Sequence, residues 1–144
     1  MTQPSHQLQL PLVWADADIH EVVVYARSEH FSGATSLYVA PGQLAELADQ
    51  LSGFPSSRLD ERSFVLGQSN LATYGEVRAR VYCRDSTGHI GMFIEMECAP
   101  YDVADKPESC ALLLRVVPSD LDRFIQELRG ITAEGHMATL INAA

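Results

Sequence analysis

The sequence predicts an α+β fold: an antiparallel sheet of six to seven strands with two amphipathic helices packed on one face. Three observations carry this prediction. Two segments, Gly75–Arg84 and His89–Cys98, alternate apolar and polar residues on either side of Asp85-Ser86-Thr87-Gly88, where Asp and Gly supply turn geometry. Pro41–Leu51 places Leu44, Leu47, Ala48 and Leu51 at i, i+3, i+4 and i+7, the spacing of one helical stripe. Ser119–Arg129 repeats that spacing with Leu121, Phe124, Ile125 and Leu128.

In chain order, Leu8–Trp14 is a first strand candidate. Glu21–Ser28 follows, rich in Val and Tyr, which favour the pleated surface of a strand. Thr35–Val39 comes after the turn-forming Ser32-Gly33. Pro opens the first helix and Gly53 stands just past its end. Ser63–Leu66 reads as a short strand between loop-like stretches. In the hairpin, Val77, Ala79, Val81 and Cys83 share one face with Ile90, Met92, Ile94, Met96 and Cys98. Matching these faces across the turn sets Arg78 opposite Glu95, a favourable cross-strand pair. Cys110–Val117, with Leu112, Leu114 and Val116 inward, extends the same sheet after the polar loop Pro100–Ser109. The last helix has Ser119 as expected N-cap and Gly130 as its stop. Thr132–Ala144, small and apolar, reads as a last strand, a dimer arm or a disordered tail.

The chain of 144 residues forms one domain, 1–144. Within it, an offset of 118 − 41 = 77 residues superimposes Pro41 on Pro118, Leu44 on Leu121, Leu51 on Leu128 and Gly53 on Gly130. The pattern describes two βββα halves, 8–54 and 75–131, with a connector 55–74 and a tail 132–144. True pseudo-symmetry and the convergent chemistry of strand-to-helix junctions both produce it, and both give the same architecture.

Ten Lys and Arg stand against 19 Asp and Glu, a net charge of −9. That balance argues against a phosphate backbone as partner, so no nucleic acid is expected. No apolar run approaches the roughly 18 residues of a membrane span, and Met1–Leu10 has no basic n-region, so a cytoplasmic location without membrane association is expected. Cys83, Cys98 and Cys110 show no metal-ligand spacing and are expected as buried structural thiols. His20-Glu21 and Glu29-His30 bracket a strand and lie about 30 Å apart at ~3.3 Å per residue, too far to share an ion. His89 flanks a turn apex. Tyr101-Asp102-Val103-Ala104-Asp105 lacks the remaining ligands of a calcium loop and reads as a solvated hairpin loop. Glycine loops for phosphate and G-x-S-x-G elbows are missing, so no catalytic residue, metal ligand or cofactor is assigned.

The candidate site is the second face of the sheet, where Arg78, Arg80, Tyr82, Phe93, Glu95 and Arg115 form a ligand or interface surface. This face is expected to be locally basic inside an acidic perimeter, with Arg80 and Arg115 on either side of Phe93. Two uses are open: contact with a protein partner or a second copy, or, in a small-molecule binder or an unrecognised enzyme, binding of a carboxylate or phosphate by Arg78, Arg80 and Arg115 between Tyr82 and Phe93 as walls.

The order of strand, Pro-initiated L-x-x-L-A-x-x-L helix, Gly53-Phe54-Pro55, charged hairpin with Asp85–Ile90, and closing S-x-L-x-x-F-I-x-x-L helix resembles a loose group of small uncharacterised bacterial proteins. Some of that group look like immunity proteins of contact-dependent or polymorphic toxin systems. The resemblance covers about Glu21–Gly130 and implies a non-enzymatic protein that acts through a surface. An acidic inhibitor of this kind suits a basic toxin, by electrostatic steering and by masking its active site.

Overall fold

The computed structural model describes residues 6–67, 75–98 and 106–142. Eight strands and two helices follow in the order β1 (His6–Ala15), β2 (His20–Arg27), β3 (Ser32–Val39), α1 (Gln43–Leu51), β4 (Glu61–Gly67), β5 (Glu76–Cys83), β6 (Ile90–Cys98), β7 (Glu108–Val116), α2 (Pro118–Arg129) and β8 (Met137–Asn142). The expected hairpin forms in the expected register, with Arg78 opposite Glu95. The expected single sheet does not form. The strands instead make two antiparallel sheets of four, ordered β3-β2-β1-β8 and β4-β5-β6-β7.

The reason is coverage. Eight strands at ~4.8 Å would make a single sheet about 38 Å wide, whereas two helices of about 10 Å diameter cover only about 20 Å of it. Splitting the strands lets the sheets bury much of their apolar surface against each other. Leu8, Val22, Val24 and Leu37 of one sheet join Val77, Met92, Ile94 and Leu114 of the other in one core, which Leu47, Leu51, Phe124 and Leu128 of the helices complete.

The internal repeat extends to strand register. Leu8 opposite Ala26 in the first sheet corresponds to Val77 opposite Met96 in the second, and Val22 opposite Leu37 corresponds to Met92 opposite Leu114. Each unit has a fourth strand after its helix, and the units exchange it. β4 adds beside β5, with Leu66 opposite Val77, and β8 adds beside β1, with Leu140 opposite Leu8. β4 extends the short strand read at Ser63–Leu66 and pairs with the next strand in the chain, whereas β8 arises in the tail and pairs with β1 from the opposite end of the sequence.

Side chains seal the joins. The backbone N–H of Arg115 in β7 donates to Nδ1 of the buried His6 in β1 at 3.2 Å. Thr35 Oγ1 in β3 donates to the Glu97 carbonyl in β6 at 3.2 Å. The outer edge of β8 is closed by α2, where the Thr139 N–H donates to Glu127 Oε1 at 2.9 Å. Gly75 is required at the start of β5, because a Cβ there would stand 2.4 Å from Thr35 Oγ1 and 2.5 Å from the Ser36 carbonyl oxygen.

Helix ends differ in detail from expectation. α1 starts at Gln43 after Gly42, whose φ of 87° is left-handed. α2 starts one residue before the expected cap: Val117 is the N-cap and Pro118 takes the first turn, so Ser119 is helical and does not cap. Arg62 of β4 closes the other end of α1, donating to the carbonyls of Gln50 at 3.1 Å and Ser52 at 2.7 Å. It also pairs with Asp60 at 2.8 Å and lies 5.3 Å over the Phe54 ring. α1 and α2 pack side by side, tied by the Arg129–Asp49 ion pair. No helix among the described residues is long and apolar enough to cross a membrane.

Candidate functional site

The outer face of the second sheet carries all six candidate residues, since β5, β6 and β7 alternate with their inner residues buried. Its centre is Phe93, half-buried, with Arg80 opposite on β5 and Leu113 opposite on β7. Val65 of β4 and Leu113 add apolar surface, at 52% and 40% exposure. Tyr82 stands opposite Gly91, and its ring lies on that glycine: a Cβ at Gly91 would come within 2.7 Å of Tyr82 Cζ. The Arg80 guanidinium stacks 4.8 Å from the Tyr82 ring centroid, a cation–π contact that fixes both side chains.

Arg78 and Arg80 on this face are ion-paired. Arg80 Nη1 meets Glu61 Oε1 at 3.0 Å. Arg78 binds Glu76 and lies 3.9 Å from both Glu95 and Glu97. Glu61, Glu76, Glu95 and Glu97 match Arg78, Arg80, Arg84 and Arg115 in number, and the expectation of a locally basic face is corrected to a mixed one. The expectation that Arg80 and Arg115 flank Phe93 is corrected as well. Arg115 stands opposite Gly91, one pair along, and Leu113 takes the place beside Phe93. The hairpin turn fixes the β5–β6 register, whereas the long β6–β7 connection leaves the third strand's register open to the reader of the sequence.

Glu61 and Val65 are the site residues that sequence reasoning misses. The alternation of Phe64 and Leu66 as buried residues was the available signal, and only the pairing of β4 with β5 brings their neighbours to this face.

Other candidate groups lie elsewhere. His89 and Asp85 close the exposed hairpin turn: Asp85 Oδ1 accepts from the Thr87 N–H at 2.9 Å and the Thr87 hydroxyl at 2.7 Å, while Oδ2 meets His89 Nδ1 at 2.7 Å. These bonds, the Thr87 hydroxyl first and His89 next, hold the Asp85 carboxyl well below the usual carboxylate range. This is an Asx turn in which both carboxylate oxygens are engaged within the turn. The Asp60 carboxyl is lowered to about 2, chiefly by the Arg62 guanidinium and then by the Ser56 N–H. His20-Glu21 and Glu29-His30 remain at opposite ends of β2. Cys83, Cys98 and Cys110 are free and half-buried, not fully buried as expected, and burial pushes the Cys110 thiol up. No group of three or more His, Cys, Asp or Glu among the described residues is placed to hold a metal ion. Tyr101–Asp105 lies outside the described residues.

No protein-family model matches the chain, and neither the curated proteins nor the solved structures contain a significant match to it.

Proposed function

We propose that the protein acts by binding a protein partner through the outer face of the second sheet, in the bacterial cytoplasm, as an immunity protein masks a basic toxin. The observation that carries this reading is the layout of that face. Phe93, Leu113 and Val65 form an apolar strip, and ion-paired Arg78, Arg80, Glu61 and Glu95 surround it. An apolar centre within a polar rim is the arrangement in which a few contacts carry most of a binding energy. The net charge of −9 favours a basic partner and fast, salt-sensitive association. A small anionic ligand draws less support, because Arg78 and Arg80 already face carboxylates.

The test is calorimetric titration of the chain with the protein encoded beside it in its genome. The expected result is saturable one-to-one binding that Phe93→Asp weakens by about 100-fold or more, the scale of a lost interface anchor. Absence of binding, or binding that Phe93→Asp leaves unchanged, would overturn the proposal.

A further inference from the structure

The first sheet presents an outer face unlike the second. Its rows are Gln7, Gln9 and Pro11 on β1; Glu21, Val23, Tyr25 and Arg27 on β2; Ala34, Ser36 and Tyr38 on β3; and Met137, Thr139 and Ile141 on β8. Among the described residues, Glu21 and Arg27 are the only charged side chains in these rows, in a chain that carries 29 charged side chains (10 basic and 19 acidic). None of these thirteen is fully buried, and Met137, with Trp14 beside Glu21, is more than 40% exposed. A sheet face left to water normally carries charge, as the second sheet does. A surface depleted of charge and holding Tyr, Met and Trp has instead the composition of an interface core.

From this face we infer an occupant: a second copy of the same chain, docked face to face about a two-fold axis that crosses β2 at right angles. The row along β2 is self-complementary in that arrangement. Glu21 and Arg27 stand at its two ends with Val23 and Tyr25 between, so the axis sets Glu21 of each copy against Arg27 of the other and stacks the apolar middle on itself. Arg27 keeps its contact within its own chain and gains the Glu21 carboxylate of the other copy. The alternative axis, along β2, would oppose Glu21 to Glu21 and Arg27 to Arg27. This charge-poor face is also where two chains of net charge −9 meet with least repulsion. Size permits it. Four strands at ~4.8 Å and eight residues at ~3.4 Å give roughly 500 Å² of projected face per copy, or about 1,000 Å² in all, near the lower bound of a stable interface.

The docking leaves the second sheet's outer face open, so it neither requires nor replaces the partner binding proposed there. The experiment is sedimentation equilibrium of the full chain, with far-UV circular dichroism to verify each variant's fold. The wild-type chain is expected at twice its 15.8 kDa mass. Val23→Arg, on the outer face of β2, is expected to raise the dimer Kd at least about 100-fold. Glu21→Arg, which sets Arg against Arg, does the same, and Glu21→Arg with Arg27→Glu restores the dimer. Phe93→Arg, on the other sheet, leaves the mass doubled. A monomer at every concentration overturns the inference, as does a dimer that Val23→Arg leaves intact or that Phe93→Arg dissolves. If Val23→Arg fails to fold, Met137→Arg at the rim of the same face replaces it, with the same two outcomes. Failure of the double exchange to restore the dimer overturns the proposed axis.

Discussion

Up to the β1 irregularity between Leu12 and Trp14, the two sheets share one register and differ in dress. Residues that occupy equivalent places on the inner rows are interchangeable in character: Leu8 and Val77, Val22 and Met92, Leu37 and Leu114. On the outer rows the equivalents diverge, with Gln9 matching Arg78, Pro11 matching Arg80, Val23 matching Phe93 and Tyr25 matching Glu95. Packing dictates the inner rows, because a close-packed core has little tolerance for a polar or misshapen residue. Nothing in the fold dictates the outer ones. Their divergence is therefore where the two faces acquire separate tasks, a charged rim around an apolar strip on one sheet and an almost uncharged plane on the other.

The equivalence of the inner rows is broken if the halves contribute unequally. Leu37→Ala and Leu114→Ala both remove a side chain with no exposed surface, and each is expected to cost about 3 kcal/mol in urea unfolding. A cost under about 1 kcal/mol at one and not the other would show that only one half is well packed. Arg62→Ala removes two hydrogen bonds to the end of α1, with an expected loss of about 2 kcal/mol read in the same way. The corresponding place in the second half is held by His136, whose Nδ1 accepts from the Thr132 and Ala133 N–H groups, so His136→Ala is expected to cost less, about 1 kcal/mol.

The contact of His6 with β7 gives a pH dependence. Burial first, and Arg115 second, hold the imidazole pKa below its ordinary value of 6.5, while Glu29 opposes the shift and Arg84 adds to it. The folded state thus resists a proton that the unfolded chain accepts. This contribution to stability is complete above the ordinary value and falls as pH drops through it. The urea midpoint is expected to be lower at about pH 5 than at about pH 7.5, and His6→Asn, which keeps an acceptor but does not titrate, is expected to reduce that difference. The smallest effect belongs to the outer rows: Leu113→Ala is expected to change stability by less than about 0.5 kcal/mol.

Much of this was legible in the sequence, and what was not has a common cause. The β5–β6 hairpin and both helices are encoded locally, by the turn at Asp85–Gly88 and by stripes such as Leu44, Leu47 and Leu51. The placement of β8 is not local: Leu140 meets Leu8 from the other end of the chain, and a period of two reveals a face without naming its neighbour. The candidate site followed the same rule. Arg78 opposite Glu95 was readable from one hairpin, whereas Glu61 beside Arg80 required the β4 pairing and Leu113 beside Phe93 required the β7 register. The charge-poor plane of the first sheet is assembled from β1, β2, β3 and β8, so it exists as a surface only once those strands are side by side.

The claim that the two faces have different tasks is tested most directly by hydroxyl-radical footprinting of the wild-type chain across a concentration series spanning its self-association. Modification of Tyr25 and Met137 is expected to fall as concentration rises, while Tyr82 and Phe93 keep a constant rate. A fall at Tyr82 and Phe93 with Tyr25 and Met137 unchanged, or no residue-specific change in a chain that does associate, would contradict it.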